Sequence, residues 1–277
     1  MPNLILSAFA DEYSDSIEEQ ARALRDFGIF NLELRHACGK NVSEMQAEDL
    51  AIIKEQLDKE NIKVSSIGSP LGKIKLSDDF NSHLEVAKRV FETANFFGAK
   101  FVRMFSFYIP LDNNDYTDQV FERLNSLCNL ASEHGVTLCH ENEANIYGES
   151  PKKCLKIAKE FNGKIKCVFD MGNFVLDGYD PISAYKTLFP YIAYFHVKDA
   201  LKAGAIVPPG LGEAKIKEIL DDYKINGKAD AFITLEPHLQ TFSGLNALVG
   251  KSFDNPYKYP DQKQAFTDAV IKLKQIL

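Results

Sequence analysis

The sequence lacks several features that would assign it to whole classes of protein. No apolar run approaches the roughly 18 residues that a membrane-spanning helix needs. Lys and Arg number 32 against 39 Asp and Glu, which disfavours a nucleic-acid partner because phosphate binding requires a basic face. The five cysteines include no Cys-x-x-Cys pair, so we expect free buried thiols in a reducing cytoplasm. The N-terminal MPNLILSAFADE has no basic segment, and it predicts a first strand rather than a signal peptide.

Eight short apolar runs recur along the 277 residues, with 26 to 40 residues from the end of one to the end of the next. Each run is rich in β-branched or aromatic residues and is followed by turn residues, which is typical of a buried parallel strand. Each interval leaves room for one helix and two loops, as in the βα unit. The runs end near Phe9, Arg35, Gly68, Phe105, Glu141, Asp170, His196 and Glu236.

The segments between the runs carry helix signals. Ser16 with Glu19 fits a capping box, and Ser150-Pro151 fits an N-cap followed by proline in the first turn. The first βα turn, SAFADEYSD, lacks the glycine-rich phosphate loop of an open doubly wound sheet, and no low-complexity linker interrupts the series. We therefore predict an α/β fold, a (β/α)8 TIM barrel that forms a single domain over residues 1–277.

The last four runs each end in a residue that can bind a metal: Glu141, Asp170, His196 and Glu236. The C-terminal ends of parallel barrel strands meet at one face, so these side chains are predicted to share one divalent ion. The oxygen-rich set favours Mn²⁺ or Mg²⁺, and the imidazole also suits Co²⁺ or Zn²⁺. For Asp170 a structural role, as N-cap of the following helix, stays open.

Further polar residues are predicted to ring this ion, because side chains two positions apart on a strand share a face. Glu143 lies two residues beyond Glu141, Lys198 two beyond His196, and His238 two beyond Glu236. His140 is one position off this face and is expected to point towards the helices. The candidate substrate contacts from this pattern are Arg35, Lys73, Arg103, Glu143, Lys198 and His238.

Two segments, at about 199–212 and 237–260, are long for βα loops and fall on the predicted catalytic face. Long loops there commonly bind substrate or close over it. Gly210-x-Gly212 predicts either a phosphate cradle or, with Pro208-Pro209, a rigid loop. The 237–260 segment is expected to lie near the mouth and shield the reacting carbon from water. Its aromatic residues and flexible positions are Phe242, Ser243, Gly244, Phe253 and Tyr257.

Over nearly its whole length the chain resembles the sugar phosphate isomerase/epimerase group of xylose isomerase-like barrels. The motifs are SAFADE, LELR, SSIGSPLGK, VRMFSF, HENE, FDMGNF, FHVKDA and LEPHL. The resemblance implies that Glu141, Asp170, His196 and Glu236 bind one divalent metal. It also implies that the two glutamates act as acid and base on opposite faces of a sugar carbon. Many members carry a His where this chain has Asn173, so a different substrate contact is expected at that position.

The predicted function is that of a metal-dependent isomerase or epimerase acting on a small sugar or sugar derivative. A divalent metal that binds a carbonyl and the adjacent hydroxyl stabilises an enediolate, so that Glu141 and Glu236 can exchange the carbon-bound proton. Loss of a β-hydroxyl from the same enolate is the alternative, a lyase of the inosose or 3-dehydroshikimate dehydratase type. An apurinic endonuclease-like enzyme and a non-catalytic sugar-binding barrel are less favoured. The expected partner is a sugar or polyol, with no membrane, and a homo-oligomer stays open.

Overall fold

A computed structural model describes residues 1–110, 112, 114–240 and 256–277 of the chain. Eight parallel strands form a closed barrel in which each strand pairs with its neighbours in sequence, and β8 closes the ring against β1. The predicted (β/α)8 architecture is confirmed. The strands are β1 (Leu4–Ala8), β2 (Asn31–Leu34), β3 (Lys63–Ile67), β4 (Phe101–Met104), β5 (Thr137–Glu141), β6 (Ile165–Asp170), β7 (Ile192–Val197) and β8 (Ala231–Leu235).

Helices follow the strands and pack around the barrel. Within the described part of the chain no helix has the length and apolar character to cross a membrane. The extent of a single domain over residues 1–277 stays a prediction. The described helices are α1 (Ile17–Asp26), α2 (Ala47–Lys59), α3 (Phe80–Phe97), α4 (Thr117–Glu133), α5 (Pro151–Glu160), α6 (Met171–Leu176), α7 (Pro181–Leu188), α8 (Ile216–Asn226) and α9 (Gln262–Ile276).

The helix starts follow the predicted capping chemistry, with one difference. The Ser150 hydroxyl accepts a hydrogen bond from the Lys153 amide at 3.3 Å, as an N-cap does. The Ser16 hydroxyl likewise accepts from the Glu19 amide at 3.5 Å. The Glu19 carboxylate, however, accepts from the Ser14 hydroxyl at 2.6 Å, so only half of the predicted capping box forms between Ser16 and Glu19.

A small apolar cluster fills the barrel beneath the catalytic face. It contains Cys139, Val168 and Tyr194, which are 0 to 1% exposed. Each of these lies two residues before a predicted metal ligand on the same strand, so it shares the ligand's face one layer deeper. This layer closes the barrel interior and supports the polar residues above it. All five cysteines of the chain are free thiols.

Candidate active site

The four predicted metal ligands converge at the C-terminal mouth of the barrel. Glu141, Asp170 and His196 lie at the ends of β5, β6 and β7, and Glu236 directly follows β8. One potential ligand atom from each residue lies within 4.8 Å of the other three, and none of the four residues is more than 2% exposed. Three carboxylates and one imidazole at this spacing fit a divalent cation.

The His196 ring is oriented by acidic groups on both sides. Its Nδ1 lies 3.1 Å from Glu141 Oε1 and 3.3 Å from Glu236 Oε2, while its Nε2 lies 3.2 Å from Glu33 Oε2. Burial opposes a charged ring, but the Glu33 and Glu141 carboxylates raise the pKa of His196 well above its ordinary value. A carboxylate behind a histidine is the usual outer partner of a metal-binding imidazole, so Nδ1 is the nitrogen placed to face a cation.

Both glutamates are held ionised despite their burial. Burial alone would raise the pKa of Glu141, but His196 and Arg103 outweigh it and lower that pKa to about 2. For Glu236 burial is likewise outweighed, chiefly by Lys198 and His238, and the pKa falls well below its ordinary value. Ionised carboxylates are the form that binds a divalent cation.

Asp170 caps the following helix and also lies in the potential metal site. Its Oδ1 accepts from the Asn173 amide at 2.8 Å and caps α6, while its Oδ2 accepts from Lys198 Nζ at 2.9 Å. Burial raises the pKa of Asp170 to about 7, with Lys198 acting in the opposite direction. The cap therefore fixes the carboxylate's orientation and leaves its second oxygen in the cluster.

Lys198 and Asn173, both predicted substrate contacts, lie inside the cluster. Lys198 Nζ donates to Asp170 Oδ2 at 2.9 Å, to Asn173 Oδ1 at 3.1 Å and to Glu236 Oε2 at 3.2 Å. Burial disfavours the ammonium, but Asp170 and Glu236 more than compensate and raise the pKa of Lys198. Asn173 also donates to the Asn142 carbonyl at 2.9 Å, which fixes its amide. The ammonium group of Lys198 thus places a positive charge beside the carboxylates of Asp170 and Glu236.

Lys73 and Glu143 form an ion pair with each other at the rim. Lys73 Nζ lies 2.7 Å from Glu143 Oε2 and 4.3 Å from the centre of the Phe105 ring. The Glu143 side chain is 24% exposed, so this pair is far more accessible than the ligand cluster. A rim position suits contact with substrate hydroxyls.

His238 lies beside Glu236, as its two-residue spacing predicted. Its Nε2 is 3.3 Å from Glu236 Oε1 and 3.5 Å from Glu12 Oε1, and its amide donates to Glu12 Oε2 at 2.7 Å. The backbone is left-handed here, with φ 47°, a strained conformation for a residue other than glycine. Burial lowers the pKa of His238 to about 3.

The two arginines predicted to contact substrate lie behind the glutamates. Arg35 is 1% exposed and donates to Glu236 Oε1 at 2.8 Å. Arg103 is 2% exposed and donates to Glu141 Oε2 at 3.1 Å. Their guanidinium groups therefore contact the candidate catalytic carboxylates directly.

Several site residues were not among the sequence candidates. Glu33 shares a strand face with Arg35, and that two-residue spacing was the available signal for it. Glu12 lies in a short 3-10 turn after β1, where no periodic pattern marks it, and burial raises its pKa to about 8. Asn142 exchanges two hydrogen bonds with the Asp170 backbone, at 2.9 and 3.0 Å, and so bridges β5 and β6.

The remaining sequence candidates have local roles. His140 Nε2 hydrogen-bonds with the Ser106 hydroxyl at 3.0 Å, away from the ligand cluster, and burial lowers its pKa to about 4. The amides of Gly210 and Gly212 donate to the Asp199 carboxylate at 2.8 and 2.9 Å. An internal carboxylate thus occupies the candidate phosphate cradle, which supports the rigid-loop interpretation.

The second long loop is described only in part. Residues 237–240 lie at the mouth, where His238 contacts Glu236. Phe242, Ser243, Gly244 and Phe253 of the predicted covering loop lie outside the described residues. Tyr257 lines a surface cavity of about 620 Å³ together with Leu211 and residues of α9. The covering role of the segment therefore stays a prediction.

Comparison with known proteins gives one curated relative with an assigned activity. A 3-dehydroshikimate dehydratase of Bacillus anthracis is 22% identical over 181 residues. The match covers 64% of this chain and 64% of the relative, so the chain spans less than two thirds of the length of the curated relative it matches.

Solved structures show the same fold over the whole chain. An L-ribulose 3-epimerase has a TM-score of 0.73 at 16% identity. The match covers 100% of this chain and 95% of the epimerase chain. A xylose isomerase-like TIM barrel protein from Mycobacterium smegmatis in complex with magnesium has a TM-score of 0.69 at 16% identity. The match covers 100% of this chain and 97% of the neighbour. The family model for the xylose isomerase-like TIM barrel matches residues 21–251. With its closed barrel and its buried acid–histidine cluster, the chain belongs to the xylose isomerase-like TIM barrel family.

Proposed function

We propose that the protein is a metal-dependent isomerase or epimerase that acts on a small sugar or sugar derivative. The observation that carries this proposal is the pair of buried carboxylates on either side of one imidazole nitrogen. His196 Nδ1 lies 3.1 Å from Glu141 and 3.3 Å from Glu236. Two carboxylates at one centre allow one to remove a proton and the other to return it.

We propose Glu141, Asp170, His196 and Glu236 as the ligands of one divalent ion, with Mn²⁺ favoured. When bound, such an ion supplies positive charge at the carbonyl and neighbouring hydroxyl, where negative charge develops as an enediolate forms. A structural neighbour is a magnesium complex, which supports a hard cation as the ion of this proposal. Mg²⁺, Co²⁺ and Zn²⁺ remain alternatives for this donor set.

The protein's own residues then move the proton and hold the substrate. Glu141 or Glu236 takes the proton from the carbon beside the carbonyl. In an isomerisation the same glutamate, now protonated, returns the proton to the adjacent carbon. In an epimerisation the other glutamate takes up a proton from solvent and delivers it to the opposite face, while the first releases its proton to solvent. Lys198 can stabilise an oxygen that gains negative charge through its own positive charge, because its ammonium already lies in the cluster. Lys73, Glu143, Asn173 and His238 are the proposed contacts to substrate hydroxyls. Burial of Glu141 and Glu236 keeps water from competing with the transfer.

A dehydratase is the second candidate, supported by the 22% identity to the 3-dehydroshikimate dehydratase. The same enolate would lose a β-hydroxyl as water instead of being reprotonated. The cations described at the mouth already have acidic partners in the chain, as Lys198 with Asp170 and Lys73 with Glu143. This pairing favours an uncharged substrate over one that carries a carboxylate. Because 3-dehydroshikimate carries a carboxylate, the pairing supports the isomerase over this dehydratase.

We further propose that the protein binds no nucleic acid, which the formal net charge of −7 supports, and that it is cytoplasmic. The five free thiols are consistent with a reducing compartment.

The test is an exchange experiment with Mn²⁺-replete protein in D₂O. Unphosphorylated ketoses, inososes and 3-dehydroshikimate are incubated separately, and loss of the C–H signal is followed by proton NMR. We expect deuterium to enter one ketose at the carbon beside the carbonyl, with an epimer or aldose as product. Formation of an unsaturated product would favour the dehydratase, and no exchange with any substrate would reject both.

A further inference from the structure

The two candidate catalytic glutamates are held in the same way. Glu141 has Oε1 at 3.1 Å from His196 Nδ1 and Oε2 at 3.1 Å from Arg103 Nη1. Glu236 has Oε2 at 3.3 Å from the same nitrogen and Oε1 at 2.8 Å from Arg35 Nη1. In each carboxylate one oxygen faces the ligand cluster and the other is bound by a buried arginine.

Both arginines are themselves fixed by groups outside the ligand cluster. Arg35 donates through Nε and Nη2 to the Asp11 carboxylate, at 2.8 and 3.1 Å. Arg103 donates through Nε to the Ser69 carbonyl at 3.3 Å and through Nη2 to the Gly68 carbonyl at 3.0 Å. A planar guanidinium held through both Nε and Nη2 cannot rotate freely, so its Nη1 presents a fixed donor to the glutamate.

The Phe9 ring packs against both arginines. Its centre lies 4.0 Å from Arg35 Cζ and 5.1 Å from Arg103 Cζ, and its ring meets that of His196 edge-on with centres 5.1 Å apart. Gly68 has no room for a side chain, because a Cβ there would approach Phe9 to 2.5 Å. The ring therefore connects the two arginines and the imidazole in one packed unit.

We infer that Arg35 and Arg103 are positioning residues, which together with Phe9 form an arginine clamp that fixes one oxygen of each glutamate and turns the other towards the metal position. This inference rests on the proposed function. It replaces the sequence-based expectation that the two arginines contact substrate. At 1 and 2% exposure, with all three nitrogens of each guanidinium group hydrogen-bonded to the protein, neither arginine is accessible to a substrate.

The clamp is tested with the variants Arg35→Lys and Arg103→Lys, which keep the charge but lose the planar donor set. Arg22→Lys is the matched control, because Arg22 lies on α1 and pairs with Glu18 at the surface. Phe9→Leu keeps both arginines and removes the ring between them. Co²⁺ titration followed by visible absorption gives metal affinity and coordination geometry independently of turnover.

We expect both Arg→Lys variants to weaken Co²⁺ binding by about 10- to 100-fold and to change its absorption spectrum. The turnover number kcat should fall while the KM for the ketose stays close to that of the parent. Phe9→Leu should change the same quantities in the same direction by a smaller factor, and Arg22→Lys should match the parent.

Unchanged Co²⁺ affinity and spectrum together with a raised KM would show that the arginines bind substrate, and would overturn the clamp. If the Arg→Lys variants do not fold, parent-like Co²⁺ binding by folded Phe9→Leu protein would overturn it as well. A parent protein that binds Co²⁺ but turns over no substrate defeats only the proposed function, since the Co²⁺ affinities still decide the clamp. A parent that binds no Co²⁺ defeats both.

Discussion

The two halves of the barrel contribute differently to the candidate active site. Strands β5 to β8 end in Glu141, Asp170, His196 and Glu236, which together form the potential metal site. Strands β1 to β4 provide groups that hold these ligands from behind: Glu33, Arg35 and Arg103, with Asp11 and Glu12 after β1. The second half supplies the potential ligands and the first half orients three of them, whereas Asp170 is held by Lys198 and Asn173 of the second half.

This division follows from the cost of burying charge. A buried ion without a partner costs several kcal/mol, so a cluster of buried carboxylates requires cations and donors on its outer side. The exposed pairs on the helices, such as Arg22 with Glu18, carry no such requirement, because water solvates both groups. The arginines of the first half, together with Lys198 of the second, therefore make the buried carboxylates tolerable, and changes in the two halves should have different consequences.

The largest effect is expected in the second half, from Glu141→Gln and Glu236→Gln. Each change keeps the shape and one oxygen but removes proton transfer, which is typically worth about 10²–10⁴ in rate. The variants should still bind substrate, while deuterium exchange at the substrate carbon in Mn²⁺-replete protein falls by this factor. Glu18→Gln on α1 serves as the surface control. If both active-site variants exchange as fast as the parent, the proton-transfer assignment is wrong.

The next effect is expected in the first half, from Glu33→Gln. The neutral side chain weakens the interaction with His196 Nε2, and loss of such an outer partner typically costs about 10- to 100-fold in metal affinity. Excess Mn²⁺ should restore the activity of Glu33→Gln, and it should partly restore that of His196→Ala. It should not rescue Glu141→Gln or Glu236→Gln. Tyr194→Phe, which removes only the hydroxyl that donates to Glu33 at 3.0 Å, should lose less affinity. Mn²⁺ titration calorimetry measures these values, and parent-like affinity in Glu33→Gln would show that the two halves are not coupled here.

A third effect concerns the loop beside Lys198. A Cβ at residue 212 would collide with the Asp199 carboxylate, which accepts from the amides of Gly210, Gly212 and Ala214. Gly212→Ala should therefore lower the free energy of unfolding. Overpacking typically costs about 1–3 kcal/mol, and we expect a decrease near the upper end of that range. Urea denaturation measures this value, and a variant as stable as the parent would show that the loop rearranges at no cost.

The smallest effect is a pH dependence of stability in the first half. His83 accepts from the Gly72 amide at 2.9 Å through Nε2, and burial lowers its pKa from 6.5 to about 4. The folded state holds the neutral ring, so its contribution is complete above pH 6.5 and is lost as the pH falls towards 4. By pH 5 the loss should be about 2 kcal/mol, and His83→Gln, which keeps an acceptor, should lose less between pH 7 and 5. Equal losses in parent and variant would assign the acid sensitivity to other groups.

The sequence by itself determined the barrel and which four residues gather as the potential metal site. Alternating apolar runs at regular intervals specify buried parallel strands with helices between them, and the residue at the end of each strand is fixed by the chain. Strand alternation also predicts that Lys198 and His238 lie beside the cluster, because each is two residues beyond a member of it and that spacing is a local property of the chain. Asp170 was recognised as both a ligand and a cap candidate, and it serves as the cap of α6 while its second oxygen lies in the cluster.

Only the tertiary structure decided what each charged residue faces. Arg35 and Glu236 are 201 residues apart in the chain, and no local pattern specifies that they meet. Asp11 and Glu12 lie in an irregular turn, where no periodicity assigns a direction to the side chains. The Gly210-x-Gly212 motif allowed a phosphate cradle until the fold brought the Asp199 carboxylate to its amides. Periodicity follows from backbone geometry within one strand, whereas charge pairing across the barrel depends on which side chains closure of the ring brings together.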